Sequence, residues 1–221
     1  ADPYFGGLEQ NLYVEDIYVG YRYFESAAKS KVLYPFGFGL SYTTFSMEAD
    51  GFSYAENQVS FVMKVTNTGS VAGKEVVQVY AKAPLGKLGK PAKELVAFEK
   101  TRELQPGESQ LMILTWKIND MASYDDLGKV KKSAYVLEAG SYDIYVGTSV
   151  RDVTKADYSY ILNHDVITEQ LSAKLVPTSL PKRMLADGSY EALTQSEPDD
   201  TDYSAIGNSD PSLTEGVAPG Q

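Results

Sequence analysis

The chain has 221 residues, 43% of them hydrophobic and 12% aromatic, with 17 tyrosines and no cysteine. That suffices for one packed β-rich core, and it excludes a disulfide framework, a thiol nucleophile and a thiolate metal site. The formal charge of −10 gathers at the end: no Lys or Arg follows Arg183, and residues 1–186 carry only −2, so neither part offers a basic surface for nucleic acid. No apolar run approaches the roughly 20 residues of a membrane helix, and no membrane partner is expected.

Residues 1–33 are too few for a domain. DPYFGG reads as a turn, and YVEDIYVGYRYF (Tyr13 to Phe24) reads as an extended aromatic segment in which Gly20 permits close approach and Tyr21 and Arg22 need a partner surface. Tyr34 to Phe45, YPFGFGLSYTTF, reads as a junction. Pro35 fixes its own φ and pushes Tyr34 towards an extended conformation, while Gly37 and Gly39 allow positive φ or close approach beside Phe36. From Ser41 the alternation of Tyr42, Thr44 and Ser46 against Thr43, Phe45 and Met47 predicts a first strand.

Short strands separated by turns then predict an all-β sandwich. Gln58 to Thr66 alternates Val59, Phe61, Met63 and Val65 against Ser60, Val62, Lys64 and Thr66, and Asn67 to Ser70 supplies a turn. Glu75 to Lys82 is apolar on both faces and is expected to be central. Ala83 to Lys93, APLGKLGKPAK, is the long loop of the core unit, expected to be a connection with solvated lysines. Further strands are predicted at Glu94 to Arg102, Gln110 to Trp116, Ala134 to Glu138 and Ser141 to Gly147, with an edge strand over Asp157 to Asn163. Asn119 to Asp126 resembles a helical turn capped by Asn119 or Asp120. Trp116, the single tryptophan, is expected to serve packing. From Glu169 the pattern decays, and Thr194 to Gln221, acidic and rich in Ser, Gly and Pro, is expected to be disordered.

Five of these stretches also carry a resemblance. EDIYVGYRYF, YPFGFGLSYTTF, KPAKELVAFEK (Lys90 to Lys100), LQPGES (Leu104 to Ser109) and GSYDIYVGTSVRD (Gly140 to Asp152) resemble, in order, the end of the α/β sandwich domain and the following fibronectin type III-like domain of family-3 glycoside hydrolases, the β-glucosidase family. The resemblance implies residues 1–40 as the terminal segment of the α/β sandwich domain, 41–168 as a fibronectin type III-like, immunoglobulin-like β-sandwich, and 169–221 as a linker and tail. Gly20, Tyr21, Arg22, Tyr34, Pro35, Phe36, Gly37 and Gly39 would form the structural junction, with Arg22 pairing with a carboxylate of the rest of the α/β sandwich domain. The Ala83 to Lys93 loop would lie at the end of the sandwich that approaches the catalytic domains. Some family members place the barrel after the β-sandwich, and SLPKRMLADGSYE resembles their linker, so neither Ala1 nor Gln221 reads as a natural end.

Retaining glycoside hydrolysis needs two carboxyl groups about 5 Å apart on rigid elements. The adjacent pairs Glu15–Asp16, Asp125–Asp126 and Asp199–Asp200 read as solvated turns or tail. In the family the nucleophile and the acid lie in the barrel and the α/β sandwich domain, with no matching motif here. His164, the single histidine, is expected to be solvated or packed in a loop, which leaves neither a Ser-His-Asp triad nor a zinc site, and no cofactor is expected. The resulting expectation is an accessory, non-catalytic part of a β-glucosidase whose partners are the barrel and the α/β sandwich domain of the same protein. A β-glucoside would be met only by the intact enzyme, as substrate. The alternative is a free-standing carbohydrate-binding or protein-interaction module, which an exposed row of tyrosines on one sheet face would favour.

Overall fold

A computed structural model describes residues 11–174 and 179–194. In chain order the elements are helix α1 (Tyr21–Ala27) and strands β1 (Phe45–Ala55), β2 (Gln58–Asn67), β3 (Val76–Lys82), β4 (Glu94–Lys100), β5 (Ser109–Lys117), β6 (Ser123–Asp125), β7 (Ala134–Leu137), β8 (Gly140–Gly147), β9 (Val153–Leu162), β10 (Val166–Gln170), β11 (Lys182–Met184) and β12 (Tyr190–Ala192). A three-stranded sheet, β1-β2-β5, packs on a four-stranded sheet, β4-β3-β8-β9, and every pairing is antiparallel. A small sheet, β10-β7-β6, and the hairpin β11-β12 complete the strands.

The period-two pattern of β2 determines which face becomes core. Val59, Phe61, Met63 and Val65 are fully buried, with Met112, Leu114 and Trp116 of β5 beside them. Val77 and Val79 of β3 and Tyr142 and Ile144 of β8 close the core from the other sheet. Each fully buried side chain of this size contributes roughly 1.5–3 kcal/mol relative to exposure. Along one side Phe52 of β1 stacks on Tyr158 of β9 at 5.5 Å, so a ring pair seals the seam between the two sheets. Trp116 packs in the core as expected, and β3 is central. The fold is the all-β sandwich that the strand pattern predicts.

Four local expectations are corrected. The first strand starts at Phe45, not Ser41, because Thr43 turns inward and its hydroxyl donates to Asn67 Oδ1 at 2.7 Å. Asn67 then donates to the carbonyls of Val71 and Leu104, tying the turn after β2 to the sandwich. The leading segment is not extended throughout: Gly20 sits at φ 55° and the chain enters a two-turn helix from Tyr21. The expected helical turn at 119–126 is a 3₁₀ turn over Ile118–Met121 followed by strand β6, with the Asp120 carboxylate accepting the Lys117 N–H. Beyond Glu169, residues 182–192 form a hairpin docked on the leading segment, Met184 N–H donating to Val14 O at 2.7 Å. Of the tail expected to be disordered, Thr194 to Gln221, all but Thr194 lies outside the described residues.

Candidate functional site

Helix α1 is too short to be stable alone and is held by side chains at the end of the sandwich. Tyr21 Oη accepts the Leu95 N–H at 2.9 Å, and its ring stacks on Phe36 at 4.7 Å and meets Tyr80 edge-on at 6.2 Å. Arg22 pairs with Glu94 at 3.1 Å, so its carboxylate belongs to this same chain, at the start of β4. The Glu25 carboxylate, 4% exposed, receives Arg151 at 2.7 Å, and Ser26 Oγ accepts the Ala92 N–H. Four chain segments, at Phe36, Tyr80, residues 92–95 and Arg151, thereby hold the helix in one orientation.

The junction arch follows. Phe38 N–H donates to Pro35 O at 2.9 Å, closing a turn in which Gly37 at φ 83° occupies the position that a type II turn reserves for glycine. Gly37 is also pressed on the Gln78 amide, with which any Cβ would collide. That amide is fixed in turn, donating to Thr148 O and accepting from Tyr80 Oη, both at 2.6 Å. Burial pushes the Tyr80 phenol well above its ordinary value. Phe36 O accepts the Val150 N–H. The structure therefore brings Tyr21, Phe36 and Gly37 together, while a side chain at Gly20 or Gly39 would meet nothing within 4 Å.

What the arch presents to water is apolar. Leu33, Tyr34, Leu40 and Tyr42 are between 72% and 99% exposed, and Phe36 and Phe38 are about half exposed. Tyr34 leans on Phe38 at 5.2 Å. Six large apolar side chains within ten residues, on a backbone fixed from beneath, have the character of an unpartnered interface. Leu33, Phe38, Leu40 and Tyr42 belong to it as much as the residues read from the motif.

In the Ala83 to Lys93 loop Lys87 is solvated as expected, but Lys90 is not. Lys90 is 3% exposed, its ammonium 3.8 Å from the equally buried Glu138 and hydrogen-bonded to Ser123 Oγ. Glu138 also accepts the N–H groups of Lys87 and Leu88. Burial lowers the Lys90 amine, and Glu138 opposes that shift. Lys93 Nζ donates to Val150 O. The loop is folded around an ion pair, and Leu85, 83% exposed, marks its outward tip.

Of the paired carboxylates, Asp16, Asp125 and Asp126 are held by partners, and Asp199–Asp200 lies outside the described residues. Asp125 is 1% exposed and its two oxygens accept four backbone N–H groups, from Gly128, Lys129, Val130 and Lys131 at 2.6–3.0 Å, so it is not a solvated turn residue. Asp126 and Glu191 bind Arg183 at 2.9 Å each, and Asp16 approaches it at 3.6 Å. His164 is exposed. Among the described residues no group of three or more His, Cys, Asp or Glu is placed to hold a metal ion.

Arg183 pins the leading segment to the hairpin, and Arg183→Ala is expected to free it. Limited proteolysis within residues 11–20 should accelerate by about tenfold, a local opening made easier by about 1.4 kcal/mol. Acid should loosen the hairpin's own hold on Arg183, while the Asp16 carboxyl, raised by burial, works in the opposite sense. The Arg183 hydrogen bond holds the Glu191 carboxyl below its ordinary 4.5, so its contribution is present above that value and lost as pH falls through the depressed one.

Comparison with known proteins agrees with this architecture. The fibronectin type III-like domain family matches residues 75–150. β-Glucosidase A of Butyrivibrio fibrisolvens is 57% identical over 211 residues, covering 88% of this chain and 25% of that protein. A β-glucosidase of Ruminococcus albus is 45% identical, covering 90% of this chain and 21% of its own. The crystal structure of a β-glucosidase from Paenibacillus barengoltzii superposes with a TM-score of 0.76 at 47% identity, over 89% of this chain and 23% of that one. The chain belongs to the family-3 glycoside hydrolases. It spans a quarter or less of the length of these family-3 relatives, and the part of them that it matches includes the fibronectin type III-like domain.

Proposed function

We propose that the chain is the buttress of a β-glucosidase. Residues 1–40 end the α/β sandwich domain, 41–168 form the β-sandwich and 169–221 link onward. The barrel and the α/β sandwich domain are its partners, and the intact protein hydrolyses terminal β-D-glucosidic bonds with carboxylates supplied by those domains. The observation that carries this reading is the exposed arch from Leu33 to Tyr42. It is apolar where it faces water and rigid where it meets the sandwich, as a surface that positions a neighbouring domain needs to be. The tip of the 83–93 loop, at Leu85, is the part of that loop free to reach a neighbour.

The test is hydrolysis of a chromogenic β-glucoside by this chain, alone and mixed with separately prepared barrel and α/β sandwich domains. The expected result is no turnover alone and turnover on mixing, lost when Leu40 and Tyr42 are both replaced by Ser. Turnover by the chain alone, or mixing without gain, contradicts the reading.

A further inference from the structure

Tyr124 of β6 and Tyr135 of β7 stand directly opposite each other in the small sheet. Their neighbours Asp125, Ala134 and Val136 are buried, so the period of two places both tyrosines on the outer face, 41% and 38% exposed. The ring centroids are 5.3 Å apart with the planes inclined at 52°, which makes a shallow V of two aromatic faces. Both rings line a cavity of about 460 Å³ whose other walls are the leading segment, at Asp16 and Tyr18, and the hairpin, at Arg183 and Glu191.

The chemistry of these walls selects a ligand class. Carboxylates outnumber cations around the cavity, five to three, which disfavours phosphates and other anions. Asp126 and Glu191 are held in place by Arg183, and each keeps oxygen lone pairs for further donors. A ligand with apolar C–H faces for the rings and many hydroxyl donors for fixed carboxylates satisfies both halves of the site. The volume accommodates roughly two pyranose rings, within the range of small-molecule sites.

We propose that this cavity binds a neutral oligosaccharide through stacking on Tyr124 and Tyr135 and hydrogen bonds to the Arg183-anchored carboxylates. The choice of a β-linked gluco-oligosaccharide as the first ligand rests on the β-glucosidase reading; the site itself does not.

The experiment is a titration of the whole chain with cellotriose and, separately, with its α-linked counterpart maltotriose, followed by calorimetry and amide chemical shifts. Saturable binding with a Kd on the order of 1 mM is expected. Tyr124→Ala and Tyr135→Ala should each weaken it by roughly tenfold, the loss of one stacking face. Tyr124→Phe and Tyr135→Phe, which keep the ring, should bind as the parent does, and so should Tyr42→Ala, which lies outside the cavity. Circular dichroism on each variant checks that the fold is retained. Saturable binding of either sugar that depends on the two rings supports the site, and a preference for maltotriose counts only against the β-linked choice. No saturable response with either sugar, or binding untouched by the Tyr124→Ala/Tyr135→Ala double variant, overturns the proposal.

Discussion

Asp125→Ala is expected to destabilise the protein by about 4 kcal/mol, because four backbone N–H groups lose their acceptor inside a closed loop. Charge-assisted bonds are the strong ones, and the loop from Asp126 to Ser133 is built around this carboxylate: Ser133 N–H also returns to Asp125 O at 2.7 Å, and Ser133 itself sits at φ 58°. Urea unfolding checks it through a lower midpoint at unchanged slope, and the melting temperature should fall by about 10 °C. Asp125→Asn retains one acceptor oxygen and should recover roughly half of the loss. An Asp125→Ala variant within about 0.5 kcal/mol of the parent contradicts the account.

Glu138→Ala comes next, with an expected loss of about 3–5 kcal/mol. It strands the Lys90 ammonium in the interior and orphans the N–H groups of Lys87 and Leu88. Most of that cost lies in the charge left behind, not in the contact removed. The double variant Lys90→Met with Glu138→Gln should therefore be closer to the parent than Glu138→Ala, since an amide oxygen still receives the two N–H groups and no buried charge remains. Additive losses in the pair count against this explanation.

These two residues show where reading the sequence stops. The alternation of Val59, Phe61, Met63 and Val65 declares its own buried face, because one segment carries both the period and the apolar residues. Asp125 and Lys90 carry no such mark. A carboxylate in NDMASYDD and a lysine in a Gly-Pro loop look solvated, and what buries them is backbone N–H geometry or a partner far along the chain. Strand β10 was illegible for a related reason: its inward positions are Val166, Thr168 and Gln170, so polar residues occupy the core side and the apolar period vanishes. Strands β11 and β12 have three residues each, too few to show any period. The site divides similarly. Glycine and proline in YPFGFG announce the turn at Gly37, whereas the solvent-facing role of Leu40 and Tyr42 follows only from the course of the backbone. The pairing of Tyr124 with Tyr135 depends on the register of two short strands.

The Met184 to Val14 hydrogen bond, with Arg183 against Asp16, has an architectural consequence. Chain arriving at Val14 and chain departing at Met184 pass through one doorway, so the sandwich between them behaves as a cassette. Spliced into a surface turn of a host protein at these two points, it would leave the flanking host backbone where it was. A shuffle of gene segments can thus move such a module between neighbours without asking either neighbour to change its shape.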